Sequence, residues 1–585
     1  MIACWGAGRA VLARLRPPSR RDAWLEAAMS AALGVGLYIC AFQALAIFGL
    51  FRREATLGLI GAGVVAAAWQ WRGWRAEVRA LRAAAPATPP WTRFERIAAI
   101  ALALVALPAL VAPLAPPAAF DELMYHLPYA RLVAQQGTLG IHDWLRYPWF
   151  PYNYNLLYAA ALQVGDDVLP HFLNALAGAL SVLMIFRLGI LHANRLTACI
   201  GAAIWLGMGD YANALIDMGV ALFVLSAFVA LWWWRESEPL RDGTRWLCLA
   251  AFCLGVAAGS KYQALIFLPL VALFVERHQR RLLQAWAPAL LCFLIPCIYW
   301  YARNAIMTGD PFNPIGARVF GFTEWVPADY VQQVADVRDH AEMPNALIWS
   351  VFLAPFSVWW KRSAAVRAAG WFCLYSVAVW VVTSRYPRYL MASFPLLAMT
   401  AAVGWQVLFG WIAAGARRLR AAPAAVAADG PRSGAGRRRL GRGGAAGRAG
   451  RRVGGPDGHQ GVDDLAHTRG ARGLPAQARA GLWRDGLRAP QRDRPRLPDR
   501  AERGDLLRPN PIWGDTLGRR RYRDYLLMSP GDTARKLAAE GFTTVVMSPE
   551  MVKVLSVRPG FDQYYGLLHD QDGSRAYRLL PTTAP

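Results

Sequence analysis

The chain has 585 residues, 55% of them hydrophobic and 25 of them Trp, with a mean hydropathy of +0.23. That composition excludes a soluble enzyme on a single anchor and describes an all-α polytopic membrane protein. The formal net charge of +25 invites an anionic partner, but a large share of it sits in one aberrant segment near the C-terminus, so no nucleic-acid partner is read from it.

In chain order, Met1–Arg21 is basic but lacks the apolar core and small-residue cleavage site of a removable leader, so none is expected. Twelve candidate spans follow: Ala28–Leu50, Leu57–Trp71, Ile97–Pro117, Leu169–Arg187, Leu196–Met208, Asn213–Trp234, Trp246–Ala258, Tyr262–Val275, Ala285–Tyr301, Ala346–Trp360, Gly370–Thr383 and Tyr389–Ala413. Several are shorter than the roughly 20 residues of a spanning helix, so the count is about twelve. Tyr154–Val164 is apolar but shorter still, and is expected to lie along the interface without crossing. With the N-terminus inside, the short inner loops up to Arg420 carry twenty Lys and Arg, and the longer outer loops ten. Basic residues gather on the inner side of a membrane in this way. The eight Cys are scattered without metal-ligand spacing.

On this topology Asp121, Glu122, Asp217, Lys261, Arg303, Arg385 and Arg388 all fall on the outer face. Asp121 and Glu122, in Phe120-Asp-Glu-Leu-Met-Tyr-His-Leu-Pro128, stand where the Ile97–Pro117 span meets water. Charges at that depth are costly and usually kept for a site. A carboxylate there can take a proton from an acceptor hydroxyl, or hold a divalent cation that screens a phosphate leaving group. The bland alternative is a helix-start pair favoured by the dipole. Adjacent carboxylates on a helix point about 100° apart, so one faces a substrate, with Asp121 preferred. Tyr125, His126 and Tyr152 make the loop after them aromatic and polar, as sugar contacts and interfacial anchors both are. Lys261 and Arg303 break apolar runs at the outer boundary, and Arg385 and Arg388 flank Tyr-Pro at the last span. Each is a lipid-phosphate ligand or an anchor that snorkels. Asp217 enters a span and is expected to pair with one of these cations.

The stretch from Ala421 to Asn510 differs from everything before it. It has 19 Arg, 17 Gly and 9 acids, and no Lys, Ile, Phe, Tyr, Met or Cys. It reads as a disordered basic linker, as a binder of nucleic acid or anionic lipid, or, the preferred reading, as GC-rich DNA translated in the wrong frame. From Pro511 ordered patterning returns. A helix is expected at Thr533–Glu540 and strands at Phe542–Met547 and Ala576–Leu580, making a small α/β domain. The resulting division is 1–96 with two spans, a core at 97–413 including a first outer loop at 118–168, the segment 421–510, and the domain 511–585.

The ordered set of Phe-Asp-Glu-Leu-Met-Tyr-His-Leu-Pro128, Pro148-Trp-Phe-Pro-Tyr152, Ile-Asp-Met218, Gly259-Ser-Lys-Tyr262, Gly309-Asp-Pro-Phe-Asn-Pro314 and Arg-Tyr-Pro-Arg-Tyr389 resembles the GT-C superfamily of multispanning glycosyltransferases. It is similar to bacterial relatives of protein O-mannosyltransferases and lipid A aminoarabinose transferases. The resemblance covers roughly Ile97–Ala413. It implies inverting transfer of a sugar from a polyprenyl-phosphate donor to a glycan, lipid or protein acceptor, at the periplasmic face of a bacterial inner membrane. It maps the acidic residue of the first loop onto Asp121 or Glu122, and the phosphate-binding cations onto Lys261 and Arg385 or Arg388. Many members separate two acids by one residue; here they are adjacent, which leaves a divalent cation an open matter and implies no other cofactor. The competing readings are a transporter or flippase of lipid-linked glycans, and an inactive membrane protein disabled between Ala421 and Asn510. A transporter places ionisable groups near mid-membrane, often with repeat symmetry; here they gather on one face, without an evident repeat.

Overall fold

The computed structural model describes residues 1–15, 22–84, 89–142, 145–236, 240–275, 279–426, 527–539, 542–547, 549–571 and 574–580. The segment 421–510 lies outside them except for its first six residues, which end a helix.

The helices of the membrane part are α1 (Ile2–Leu12), α2 (Ala23–Ile47), α3 (Arg53–Ala84), α4 (Arg93–Val111), α5 (Leu127–Gln136), α6 (Asn153–Val164), α7 (Leu169–His192), α8 (Arg195–Met208), α9 (Asp217–Glu236), α10 (Leu240–Ala258), α11 (Ala272–Val275), α12 (Gln279–Thr308), α13 (Ala317–Phe320), α14 (Pro327–Asp339), α15 (Val358–Arg362), α16 (Ala364–Thr383) and α17 (Phe394–Val426). Among the described residues, seven helical segments are long and apolar enough to cross a membrane: Ala23–Ile47, Arg93–Leu114, Leu169–His192, Asp217–Glu236, Ala285–Thr308, Ala364–Thr383 and Pro387–Arg418. Four shorter apolar ones are Arg195–Met208, Thr244–Ala258, Tyr262–Phe274 and Ala346–Phe356. Together with α3, these overlap all twelve stretches expected from the sequence.

Two of the short ones, Tyr262–Val271 and Ala346–Phe356, are 3-10 helices, which rise about 2.0 Å per residue against 1.5 Å in an α-helix. A tighter winding thus lengthens segments that looked too short.

The local sequence sets the ends. Thr92 and Glu95 form a reciprocal capping box that starts α4, satisfying donors no helix can satisfy internally. Asp22 caps α2 through the Leu25 amide at 2.8 Å and also receives Arg187 Nε at 3.0 and 3.1 Å. Apolar faces gain little by meeting one another in lipid, so close backbone approach has to hold helices together. Gly255 shows this: a Cβ there would lie 2.1 Å from the Phe293 carbonyl, so α10 and α12 meet along a line that only glycine permits.

The core is built around α9. Its apolar window is wholly buried, whereas that of α4 is only 6% buried. The first residue of this central helix is Asp217, and that position governs the site described below.

One element differs from expectation. The stretch expected to lie at the interface is α6, and Asn153–Ala161 are all buried within the protein. The hydroxyls of its tyrosines are used inside. Tyr154 donates to the Leu173 carbonyl at 3.0 Å and Tyr158 to the Leu215 carbonyl at 2.5 Å.

Chain contacts group into two units, Met1–Leu408 with Ala480–Pro585, and Phe409–Arg479; the described part of the second is the end of α17. The described C-terminal residues have a core of their own, made by Met547, Val552, Leu555, Phe561, Tyr565 and Tyr577. They comprise α18 (Pro530–Ala539), β1 (Thr544–Met547), α19 (Pro549–Leu555), α20 (Phe561–Tyr564), β2 (Tyr565–Gln571) and β3 (Ser574–Leu579). The sheet is antiparallel in the order β1-β3-β2. The helix, the edge strand β1 and the central strand β3 match the expected α/β patterning, and β2 completes a hairpin with β3 that the patterning did not show.

Candidate active site

The chain leaves α4 through Pro113, Pro116 and Pro117 and reaches Asp121. Glu122–His126 then form a single π-helical turn before α5 begins. Such turns are frequent at functional sites, and here the two acids part company. Glu122 is fully buried. Its Oε1 accepts from the Ala214 amide at 2.7 Å and faces His171 Nε2 at 2.5 Å, and its Oε2 accepts from the Ala118 and Ala119 amides at 3.1 and 3.2 Å. Every lone pair is occupied, and a substrate has no approach. The second candidate carboxylate ties the first loop to α7 and to the residues before α9, an inward placement that the sequence reading did not show.

Asp121 points the other way, with its side chain 23% exposed. It pairs with Arg388 Nη1 and accepts from the Tyr125 hydroxyl. Arg388 Nε donates to Asp217 Oδ2 at 2.7 Å, and Lys261 Nζ reaches Asp217 Oδ1 at 2.6 Å. Lys261 also lies 5.1 Å from the centre of the Tyr389 ring. Four charges from four separate segments thus alternate in sign and sum to zero. Burying any one alone is prohibitive, and pairing makes it tolerable. Burial pushes the Asp121 carboxyl up, but the charges of Arg388 and His126 outweigh it, so its pKa falls below the usual 3.8. Burial also lowers the Lys261 ammonium, which Asp217 only partly restores.

A cavity of about 490 Å³ opens beside this network. Asp217 and Arg388 line it with Asn174, Asp210, Glu342 and Asn345, and Met391 and Phe394 supply an apolar wall. Two anionic side chains beyond the network, Asp210 and Glu342, face it. Sequence reasoning missed both, as it missed His171. His171 follows Pro170 on the first turn of an apolar helix, where a lone polar residue is a weak signal.

The remaining candidates are distributed as follows. Tyr125 and His126 flank Asp121 and are buried. His126 Nδ1 lies 3.1 Å from Asn155 Nδ2, and burial lowers its pKa to about 3. Tyr152 is buried, stacked on Tyr129 at 3.9 Å, with its hydroxyl on the Tyr147 carbonyl. It holds the loop and does not line the cavity. Arg385 is exposed, with its Nε on the Val381 carbonyl and a positive φ of 52°, so the sequence pairing of Arg385 with Arg388 does not survive in space. Arg303 is buried elsewhere. Its Nη2 and Asn304 Nδ2 both donate to the Trp149 carbonyl at 2.9 Å, and the Tyr262 hydroxyl lies 3.0 Å from the same oxygen. That oxygen joins two of the sequence motifs, Pro148–Tyr152 and Gly259–Tyr262, to the Arg303-Asn304 pair. Nearby, Gly259 permits the Asn153 amide to reach its carbonyl at 2.9 Å, where a Cβ would strike the Asn153 side chain.

Among the described residues, no three His, Cys, Asp or Glu side chains converge to hold a metal ion. Asp121 and Asp217 are bridged by a guanidinium, so no step is assigned to a cation.

Residues 144–313 match the family model of dolichyl-phosphate-mannose-protein mannosyltransferases, and residues 506–578 match a family described as SF2091/S2213. That mannosyltransferase match covers the Pro148–Tyr152, Ile-Asp-Met218 and Gly259–Tyr262 motifs and the Gly309–Pro314 motif up to Asn313, and agrees with the resemblance they carry; Phe120–Pro128 and Arg385–Tyr389 lie outside it. Two uncharacterized proteins of Shigella flexneri are similar over parts of the chain. One, SF2093/S2215, is 44% identical over 57 residues, 10% of this chain and 29% of its own length. The other, SF2092/S2214, is 28% identical over 136 residues, 21% of this chain and 74% of its own length. The chain therefore spans less than a third of the first. Among solved structures, ArnT from Cupriavidus metallidurans bound to undecaprenyl phosphate is similar at a TM-score of 0.37 and 14% identity, over 56% of this chain and 64% of that one. Its apo form is similar at the same TM-score with 17% identity.

Proposed function

We propose that this chain is a membrane glycosyltransferase. It moves a sugar from a polyprenyl-phosphate-linked donor to a cell-envelope glycan, lipid or protein acceptor at the periplasmic face of a bacterial inner membrane. The observation that carries this reading is the linear charge network Asp121–Arg388–Asp217–Lys261 at the head of the buried central helix, beside a cavity of about 490 Å³.

The chemistry follows from the charges. Asp121 takes the proton of an acceptor hydroxyl as its oxygen attacks the anomeric carbon. The bond from that carbon to the phosphate oxygen breaks with its electron pair, and the lipid phosphate leaves with one more negative charge. Arg388 and Lys261 stand where that charge develops, held in place by Asp217 rather than ordered at the moment of reaction. Inversion at the anomeric carbon follows from a single displacement.

The test is transfer of labelled sugar from a panel of polyprenyl-phosphate sugars by the full chain in reconstituted membranes, with Arg388→Ala beside it. The reading requires transfer from at least one donor and a loss of roughly a hundredfold or more in the variant, the usual scale for removing a charge-stabilising donor. Transfer that survives Arg388→Ala, or that no donor supports, contradicts it.

A further inference from the structure

The four charges of the network cancel, so the cations that a lipid phosphate needs are already committed. Lys261 gives Nζ to Asp217, and Arg388 gives Nε to Asp217 and Nη1 to Asp121. A phosphodiester engages a guanidinium best through two parallel N–H bonds along one edge of the fork. The edge that leaves the Nε contact intact is the Nη1–Nη2 edge, and Asp121 holds half of it.

We propose that Arg388 is a latch on the general base: the donor phosphate and Asp121 compete for the same guanidinium edge, so donor binding itself releases Asp121 to accept a proton. Asp217 is the positioning residue of this device, because its hold on Nε and on Lys261 keeps both cations in place while Nη1 changes partners. The inference rests on the reading of this site as one for a lipid-phosphate sugar donor.

The balance of charge supports it. Before transfer, the two aspartates, the Lys, the Arg and the singly charged donor phosphodiester sum to −1. Afterwards Asp121 carries the acceptor's proton and is neutral, and the departing lipid phosphate carries two negative charges, so the sum is again −1. One unit of negative charge has moved from Asp121 to the phosphate. The guanidinium that paired the first is the group the second requires. The latch also imposes an order: while Asp121 is paired with Arg388 it is a weak base, so an acceptor arriving first, or water, is not activated.

Binding of undecaprenyl phosphate, used as the probe, by the full chain in lipid nanodiscs tests this without requiring turnover. Removing the competitor in Asp121→Asn should tighten binding by about tenfold, the change expected for one lost charge-assisted contact. Removing the anchor in Asp217→Asn should weaken it by a similar factor, and Arg388→Gln should weaken it at least as much. The opposite signs for two aspartates on one arginine are the diagnostic result, because simple removal of negative charge near an anion site tightens binding in both. Tightening in both therefore overturns the latch, as does unchanged or weaker binding in Asp121→Asn. Asp121→Ala gives the same direction by a second route, and the thermal midpoint of each variant shows that the fold is kept. Binding that ignores Arg388→Gln places the phosphate elsewhere and removes both the latch and the donor site. Loss in Arg388→Gln without a gain in Asp121→Asn removes the latch alone.

Discussion

Arg388 and Arg303 are both arginines close to aromatic residues, and the sequence offers both as lipid-phosphate ligands or anchors. Their surroundings give them different work. Arg388 is held by two carboxylates and faces a cavity. Arg303 lies 5.0 Å from the Trp300 ring centre and 5.6 Å from that of Trp149, and gives its described hydrogen bonds to the Trp149 carbonyl and the Asn304 side chain. A guanidinium paired with carboxylates at a cavity has partners that a ligand can replace. One bonded to a backbone carbonyl inside the core fixes a loop, and replacing it breaks the fold. What separates site from scaffold is the exchangeability of the partner rather than the residue type.

The comparison can be broken at the scaffold side first. Arg303→Lys keeps the charge but loses the fork, leaving the buried Asn304 side-chain oxygen without its two guanidinium donors, while the Trp149 carbonyl keeps Asn304 and Tyr262. The expected cost is about 2–3 kcal/mol, read as a lower thermal midpoint, with donor affinity unchanged in the protein that remains folded. Equal stability with weakened donor binding would put Arg303 in the same class as Arg388.

A smaller effect sharpens the boundary of the site at His126. Burial holds its pKa near 3, below the usual 6.5, so between those values the unfolded chain binds a proton that the folded chain does not. Stability from this group therefore falls as pH drops from 6.5 towards 3, by up to about 1.4 kcal/mol for each pH unit. Asp121 acts in the same direction but lower, since its depressed carboxyl loses its contribution only as pH falls below its ordinary 3.8. Thermal midpoints measured from pH 7 to pH 5, in the wild type and in His126→Asn, check the sign. The wild type should lose stability on acidification over this range, and the variant should lose less.

Much of the helical architecture was legible in the sequence because each span is a run of apolar residues, and the structure places a helix at every one. Asp217 was legible for the same reason: an acid at the head of an apolar run has to find a cation, and it finds two. The choice between Asp121 and Glu122 was only half legible. Helical periodicity says the pair diverges, but which acid turns inward depends on the π-helical turn and on Ala118, Ala119, His171 and Ala214, three segments that meet only in the fold. Arg385 and Arg388 looked equivalent because spacing carries no backbone detail; the positive φ at Arg385 belongs to a turn that sends its side chain away. The stretch of α6 is too short to span and so suggests an interfacial helix, and Tyr152 suggests a sugar contact or an anchor; neither length nor residue type shows that both pack inside the protein. Their tyrosine hydroxyls meet carbonyls there.

The central claim is that Asp121, and not its neighbour, is the base. Its most direct test is labelled-sugar transfer by Asp121→Asn and Glu122→Gln in reconstituted membranes, normalised to folded protein. The account requires Asp121→Asn to lose transfer by about a hundredfold or more, with its thermal midpoint nearly unchanged. Glu122→Gln should lower the midpoint by weakening buried charge-assisted bonds, and keep transfer per folded molecule within a few-fold. Transfer that survives Asp121→Asn and vanishes in folded Glu122→Gln would contradict it.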